Sequence, residues 1–184
     1  MTTKTHQTAV VLIPPGDVWG PVQAIRREHD RQVRRWMPHV TLLYPFRVRE
    51  QFDEVEAVLR EAGRRVEPFE VRLGEFRHFG HGRSKYTLWL APEPQDAMVR
   101  LQAALQSAVP DCDDASRHAN GFTPHLSVGQ VRGAEAMAEL ESQLQAAWSE
   151  RGGLSFVARE VSLIWRGAPP DDVFRVDRAI PLGG

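Results

Sequence analysis

The chain has 184 residues, 42% of them hydrophobic and 26% charged, and a formal net charge of −1. This composition is typical of a folded globular protein, and the near-neutral charge excludes an overall positive field that would attract long nucleic acids. The apolar run from Ala9 to Ile13 is too short for a signal peptide or a membrane span, so no membrane association is expected. The single cysteine, Cys112, cannot form an internal disulfide, which fits the cytoplasmic location that we expect.

The first half of the chain alternates between extended and helical patterns of apolar residues. Strands are predicted where β-branched and apolar residues run together or alternate, at residues 8–13, 38–43 and 69–73. Spacings of three and four predict one helix that begins near Asp17, whose side chain can cap it, and a second helix at 51–66. The predicted order is therefore β-α-β-α-β.

The same order recurs in the second half of the chain. Apolar patterns there predict further strands and helices. The strands are expected at 86–90, 124–128, 156–165 and 174–180, and the helices over 98–108 and 137–148. A hairpin loop, rather than a domain boundary, is expected at 80–84, where the two halves meet.

Matched landmarks indicate an internal repeat. His39 and His125 occupy equivalent strands, and the elements around them follow at nearly the same offset. We therefore predict one domain of two pseudo-repeats, at about 8–80 and 85–167, with a closing strand at about 174–180. The predicted fold class is α+β and bilobal: two pseudo-twofold-related lobes, each with an antiparallel sheet and helices, flank a central groove.

Each repeat contains a proline and a histidine followed by an apolar residue, a hydroxyl residue and another apolar residue. In a strand, residues i and i+2 share a face, so His39 lies beside Thr41 and His125 beside Ser127. Across a groove, a neutral imidazole can accept a proton while a charged one donates a proton, and the hydroxyls can hold phosphate oxygens. The pattern predicts phosphodiester chemistry with neither metal nor cofactor. The alternative, two structural histidines, would bury two unpaired imidazoles at a cost in stability.

The segments around these histidines, residues 38–46 and 122–129, resemble the two signature motifs of the 2H phosphoesterase superfamily, particularly its bacterial 2′-5′ RNA ligase-like branch. The order of strands and helices extends the resemblance over nearly the whole chain. The resemblance implies a groove that holds both histidines and hydrolyses 2′,3′-cyclic phosphates to 2′-phosphates. For some members it also implies ATP-independent, reversible joining of RNA ends through 2′-5′ linkages.

The resemblance implies catalytic roles for His39, Thr41, His125 and Ser127 only. One histidine would activate water and the other would protonate the leaving ribose oxygen, and the similarity of the motifs leaves open which does which. Ser127 replaces the commoner threonine and keeps the hydroxyl. Gln130 stands where relatives often carry arginine, which removes a charge that could grip a phosphate. That difference weakens the expectation of RNA ligation more than the expectation of phosphoester chemistry.

Five aromatic residues and one arginine near the ends of elements are candidates for substrate binding. They are Tyr44, Phe46, Tyr86, Phe122, Trp165 and Arg166. An aromatic ring there could stack on a base, with core packing as the alternative, and the arginine could neutralise a phosphate. His78 and His81 have a spacing that occurs in metal sites, but the glycines around them favour a plain loop.

Three functions stay open from the sequence. The leading hypothesis is a phosphodiesterase that acts on RNA ends or small cyclic-phosphate nucleotides. The second keeps this chemistry but takes another cyclic nucleotide or ADP-ribose cyclic phosphate as substrate. The third is a non-catalytic module that binds RNA or nucleotides. In each case we expect a monomer without an obligate protein partner.

Overall fold

The computed structural model describes residues 3–184, in which ten strands and four α-helices follow one another. The strands are β1 (Lys4–Thr5), β2 (Thr8–Leu12), β3 (Val40–Leu43), β4 (Phe46–Arg47), β5 (Phe69–Gly80), β6 (Lys85–Glu93), β7 (Leu126–Arg132), β8 (Leu154–Ala158), β9 (Glu160–Trp165) and β10 (Arg175–Pro181). The helices are α1 (Trp19–His29), α2 (Phe52–Arg64), α3 (Gln95–Ala108) and α4 (Ala134–Glu150). Over this part of the chain, no helix combines the length with the apolar character that a membrane span requires.

Two four-stranded sheets form the framework. The first sheet has the order β10-β9-β2-β3, and the second has the order β7-β6-β5-β8. Every neighbouring pair of strands in both sheets is antiparallel. The short strands β1 and β4 form a separate antiparallel ladder. The predicted α+β class, with antiparallel sheets and helices, is confirmed.

Strands from both halves of the sequence contribute to each sheet. β5, at the end of the first predicted repeat, pairs with β6 in the second sheet, whereas β9 pairs with β2 in the first sheet. The two sheets nevertheless have equivalent edges, because β3 lies beside β2 as β7 lies beside β6. The boundaries of the two pseudo-repeats stay a prediction.

Amphipathic helices and both sheets share one continuous hydrophobic core. On α2, Phe52, Val55 and Leu59 are buried and recur at spacings of three and four, which places them on one face. α2 packs against α3 and β10. At Gly63 an added side-chain carbon would lie 2.7 Å from the carbonyl oxygen of Pro181, so glycine permits the close approach of α2 to the end of β10.

The structure corrects three expectations from the sequence. Residues 156–165 form two strands, β8 and β9, which belong to different sheets. Asp17 lies in a single 3-10 turn and makes no capping hydrogen bond, and α1 begins at Trp19. β5 continues to Gly80, well past its predicted end, because a bulge after Leu73 shifts the alternation on which the prediction relied.

The edge strands β3 and β7 bring the two histidine motifs together. They come from different sheets and contact each other. His39 immediately precedes β3, and His125 immediately precedes β7. The end of α1 packs closely on β7, since an added side-chain carbon on Gly129 would lie 2.8 Å from the Cβ atom of His29. Both histidines are therefore fixed to the sheet framework at the junction between the sheets.

Candidate active site

The same local arrangement holds both histidine rings. Nδ1 of His39 lies 2.7 Å from the carbonyl oxygen of Met37, and Nδ1 of His125 lies 2.8 Å from that of Thr123. A proline separates the two residues in each case and keeps the preceding residue extended. Because a carbonyl only accepts hydrogen bonds, Nδ1 carries the hydrogen and Nε2 of the neutral ring keeps its lone pair. Among residues 3–184, neither Nε2 atom has a hydrogen-bond partner.

Aromatic side chains support both imidazoles. His39 stacks on Trp36 with ring centroids 4.5 Å apart and planes 16° apart. His125 makes edge-on contacts with Phe79 and Trp89, at centroid distances of 5.0 and 5.9 Å. These rings restrict the rotation of the imidazoles and exclude water from one side of each. Neither Trp36 nor Trp89 was predicted from the sequence to lie at the site, although Trp36 lies just before the first motif.

Burial sets the protonation of both rings. Removal of His39 from water lowers its pKa from 6.5 to about 4, and the charges of Arg26 and of protonated His125 also lower it, while the hydrogen bond to Met37 opposes the change. Burial likewise lowers the pKa of His125, with a smaller contribution from His118. Both rings are therefore neutral at pH 7 in the free protein. A bound anionic phosphate would raise the pKa of an adjacent imidazole and favour its charged form.

Two hydroxyl groups accompany the histidines. Thr41 is half-buried between two fully buried neighbours on β3, and it lines the groove described below. Ser127 is paired with Trp89, whose ring contacts His125, so the Ser127 side chain lies on the same face of the second sheet as that contact. Neither hydroxyl hydrogen-bonds to another group within residues 3–184. Thr41 can therefore bind a ligand in the groove, whereas Ser127 and His39 are half-buried and are not among the residues that line it.

A groove of about 580 Å³ lies at the two motifs. Thr41, Tyr44, Phe79 and His125 contribute to its walls, and the loop of residues 114–123 supplies much of the remaining surface. This volume falls within the range of roughly 300–1,000 Å³ that is typical of small-molecule sites. Its combination of imidazoles, hydroxyls and aromatic rings suits a nucleotide-sized ligand with a phosphate group.

Comparison with known proteins identifies the family. A sequence model described as the 2′-5′ RNA ligase superfamily matches residues 14–170, which include both histidine motifs. The chain belongs to this superfamily. The predicted membership of the 2H phosphoesterases, in their 2′-5′ RNA ligase-like branch, is confirmed.

Individual relatives agree with this membership. A protein of Methanothermobacter thermautotrophicus named RNA 2′,3′-cyclic phosphodiesterase is 30% identical over 131 residues, which cover 67% of this chain and 70% of the relative. Among solved structures, TT0787 of Thermus thermophilus matches with a TM-score of 0.62 and 20% identity, over 97% of this chain and 98% of that chain. Escherichia coli LigT in its apo form matches with a TM-score of 0.62 and 18% identity, over 99% and 100% of the two chains. These structural matches show that the chain shares its fold with both proteins.

Two of the predicted substrate-binding aromatic residues line the groove of this protein, and a third is buried in the core. Tyr44 and Phe122 border the groove, and the Tyr44 hydroxyl donates to the carbonyl oxygen of His6 at 3.2 Å. Phe46 has no exposed surface and packs near Phe52, because it begins the separate strand β4 instead of continuing β3. We therefore assign Phe46 to the core.

The other predicted substrate-binding residues lie outside the groove lining. Tyr86 borders a separate cleft beside the β5–β6 hairpin. Trp165 already has a cation on its ring, since the guanidinium of Arg49 lies 3.8 Å from the ring centroid. Arg166 is close enough to Tyr44 that its charge offsets part of the rise that burial causes in the Tyr44 pKa. The structure thus places Arg166 near the groove, and Trp165 and Tyr86 away from it.

Gln130 joins β7 to the end of α1. Its Nε2 donates to Oδ1 of Asp30 at 3.0 Å, and its Oε1 accepts from the backbone N–H of Arg31 at 2.9 Å. Asp30 also accepts from Nε of the buried Arg26 at 2.8 Å. Gln130 therefore braces the second sheet against α1. These hydrogen bonds could not be predicted from the sequence.

The H-x-x-H pair has separate hydrogen-bond partners. Nδ1 of His78 bonds to Glu141, and Nε2 of His81 lies 2.8 Å from Oγ1 of Thr87. His81 lies in the hairpin loop as expected, whereas His78 lies in β5. Among residues 3–184, no three His, Cys, Asp or Glu side chains are grouped so as to hold a metal ion.

Proposed function

We propose that this protein is a phosphodiesterase that opens 2′,3′-cyclic phosphates at RNA ends or on small nucleotides. One observation carries the proposal: His39 and His125, which precede the contacting strands β3 and β7, use Nδ1 in matching backbone hydrogen bonds and keep Nε2 without a partner among residues 3–184. The unpartnered hydroxyls of Thr41 and Ser127 support it, and so does the name of the relative that is 30% identical to this chain. Both imidazoles and both hydroxyls would act directly on the substrate.

In the proposed reaction, a water molecule attacks the phosphorus atom of the cyclic phosphate. One imidazole accepts a proton from this water at Nε2 while the new P–O bond forms. The other, as an imidazolium, donates its Nε2 proton to a ribose oxygen while the P–O bond to that oxygen breaks. The products are a phosphomonoester and one free ribose hydroxyl. Proton exchange with solvent then restores the two rings.

The negative charge of the substrate would favour the protonated form of the imidazole that acts as the acid. Both imidazoles are neutral in the free protein at pH 7, because burial lowers the pKa of each. A cyclic phosphodiester carries one negative charge, and an opposite charge within a few ångströms favours protonation of an imidazole. Binding of the substrate would therefore place a proton on one ring, and the lone pair of the other would serve as the base. Thr41 and Ser127 would donate hydrogen bonds to the non-bridging oxygens, where negative charge increases in the transition state.

A substrate panel tests this proposal. Purified protein in EDTA is incubated with nucleoside 2′,3′-cyclic monophosphates, a short RNA ending in a cyclic phosphate, a 3′,5′-cyclic nucleotide and ADP-ribose cyclic phosphate. We expect hydrolysis of the first two, and the position of the product phosphate identifies the leaving oxygen. Turnover of only the 3′,5′-cyclic nucleotide or ADP-ribose cyclic phosphate would contradict the proposed substrate and indicate a phosphodiesterase for another cyclic phosphoester. Binding of nucleotides without turnover at any pH would indicate a binding module.

The family membership favours a second candidate activity, the joining of RNA ends through 2′-5′ linkages. In this reaction the 5′-hydroxyl of one RNA takes the place of water and attacks the cyclic phosphate at the end of another RNA. The same two proton transfers apply. Incubation of an RNA with a cyclic phosphate end and an RNA with a 5′-hydroxyl end tests it. A joined product that resists nucleases specific for 3′-5′ linkages is the expected result if ligation occurs.

A further inference from the structure

A second cleft, of about 390 Å³, opens beside the β5–β6 hairpin. Its walls include three cationic side chains, Arg31, Lys85 and Arg132, and we call it the basic cleft. No aspartate or glutamate of the described residues lines it. A concave surface with several positive charges and no negative ones is a candidate site for an anion.

The three cations of the basic cleft are not neutralised from within the protein. Arginines elsewhere are commonly paired with carboxylates, as Arg178 is with Glu56 at 2.6 Å. Among residues 3–184, no carboxylate lies within ion-pair distance of Arg31, Lys85 or Arg132. Their like charges repel one another in the free protein, and an anion bound between them would relieve this repulsion.

Strand register connects the basic cleft to the catalytic groove. Trp89, which contacts His125, is paired with Ser127, and farther along the same two strands Thr87 is paired with Gln130 and Lys85 with Arg132. Residues i and i+2 of a strand share a face, and directly paired residues of antiparallel strands lie side by side. Because Lys85, Thr87 and Trp89 alternate along β6, these three pairs form one row on one face of the second sheet, with a bulge in β7 between Gly129 and Ser127.

The distance along this row separates the basic cleft from the catalytic histidines. Lys85 lies four residues from Trp89, which corresponds to roughly 13 Å along the strand. This separation is too long for Lys85 and its paired residue Arg132 to bind the phosphate that reacts at the histidines. It suits a phosphate farther along a nucleotide chain. His81 lines both the catalytic groove and the basic cleft, so the two are adjacent.

We propose that the basic cleft binds the backbone phosphate of a nucleotide that neighbours the one with the cyclic phosphate. The inference rests on the proposed function and narrows its substrate class, from any cyclic nucleotide to the end of an oligonucleotide. Gln130 fixes Arg31 at the cleft by accepting the hydrogen bond from its backbone N–H. Because phosphate contacts carry no base information, the preference for an oligonucleotide is independent of its sequence.

Equilibrium binding with product-like probes tests the inference. The probes are a fluorescent trinucleotide with a terminal 2′-phosphate and cytidine 2′-monophosphate, neither of which the proposed reaction consumes. The cleft variant, Lys85→Gln/Arg132→Gln, removes two cations from the cleft. The matched control, Arg64→Gln/Arg159→Gln, also removes two positive charges, those of exposed arginines that line neither cleft nor groove.

We expect the cleft variant to raise the Kd of the trinucleotide about tenfold relative to that of the mononucleotide. The slope of log Kd against log salt for the trinucleotide should fall by about 0.7 for each cation removed. The control variant should leave the ratio of the two Kd values unchanged. An unchanged ratio in the cleft variant would overturn the inference, as would an equal loss of affinity for both probes.

Turnover by the wild-type protein separates this inference from the proposed function. Suppose that the wild type hydrolyses both a cyclic mononucleotide and a trinucleotide with a cyclic end, and that the Kd ratio is unchanged in the cleft variant. This result would contradict phosphate binding by the basic cleft but not the proposed function. Failure to hydrolyse either substrate would contradict the proposed function, and the Kd ratio would still show whether the cleft holds a backbone phosphate.

Discussion

The low pKa of His39 predicts a specific sensitivity of the folded protein to acid. Burial lowers this pKa from 6.5 to about 4, so between these values the unfolded chain binds a proton that the folded chain excludes. The stability that His39 contributes is therefore complete above pH 6.5 and is lost as the pH falls toward 4. Each pH unit in this window costs about 1.4 kcal/mol, which gives about 2 kcal/mol between pH 6.5 and pH 5.

Replacement of the titrating ring isolates this contribution. The free energy of unfolding in urea is measured at pH 7.5 and pH 5.0 for the wild type, His39→Gln and the control Ser142→Ala, which replaces an exposed side chain that does not titrate and lies outside the groove. Between the two pH values, His39→Gln should lose about 2 kcal/mol less stability than the wild type, and Ser142→Ala should behave like the wild type. Equal losses in the wild type and His39→Gln would refute the argument that His39 is held as a neutral, desolvated ring.

Three further predictions concern the groove and its surroundings. Because burial lowers the pKa of both histidines, the plot of kcat/KM against pH should be bell-shaped with a maximum below pH 6.5. The maximum of kcat should lie at higher pH because the bound phosphate raises these pKa values, and coincident maxima would argue against this role of the substrate. Thr41→Val and Ser127→Ala should each lower kcat about 10- to 100-fold with little change in KM, because their hydroxyls would bind phosphate oxygens most strongly in the transition state; steady-state kinetics on a cyclic mononucleotide decides this, and unchanged kcat values would remove the hydroxyls from the mechanism. Phe46→Ala should destabilise the fold by about 3–5 kcal/mol in urea unfolding through loss of core packing, whereas Tyr44→Ala should mainly raise KM; the reverse pattern would return Phe46 to the substrate site.

The histidine motifs were predictable from the sequence because their geometry is local. Period-two alternation placed His39 with Thr41 and His125 with Ser127, and the half-buried positions of these residues in the structure agree with it. Most helices and strands were predictable for a similar reason, since each shows its buried face as a regular spacing. The internal repeat and the family resemblance together predicted a groove at the two motifs, which local pattern alone does not give.

Features that depend on contacts between distant segments could not be predicted. The stretch 156–165 reads as one apolar strand, and only its pairing with β5 on one side and β2 on the other divides it between two sheets. Phe46 looked like a groove residue because it is an aromatic near the end of a predicted strand, but β3 ends at Leu43 and Phe46 begins the separate strand β4. Gln130 looked like a lost phosphate contact, whereas its hydrogen bonds to Asp30 and Arg31 give it a bracing role.

The central claim is that two imidazoles carry out metal-independent phosphodiester chemistry, and hydrolysis of a cyclic phosphate by matched histidine variants tests it most directly. Wild type, His39→Ala, His125→Ala and the control His78→Ala are compared in EDTA with a nucleoside 2′,3′-cyclic monophosphate. Each groove variant should lose about 10²- to 10⁴-fold in kcat, while the control keeps the wild-type rate. Wild-type rates in both groove variants, or activity that only an added metal ion restores, would contradict the account.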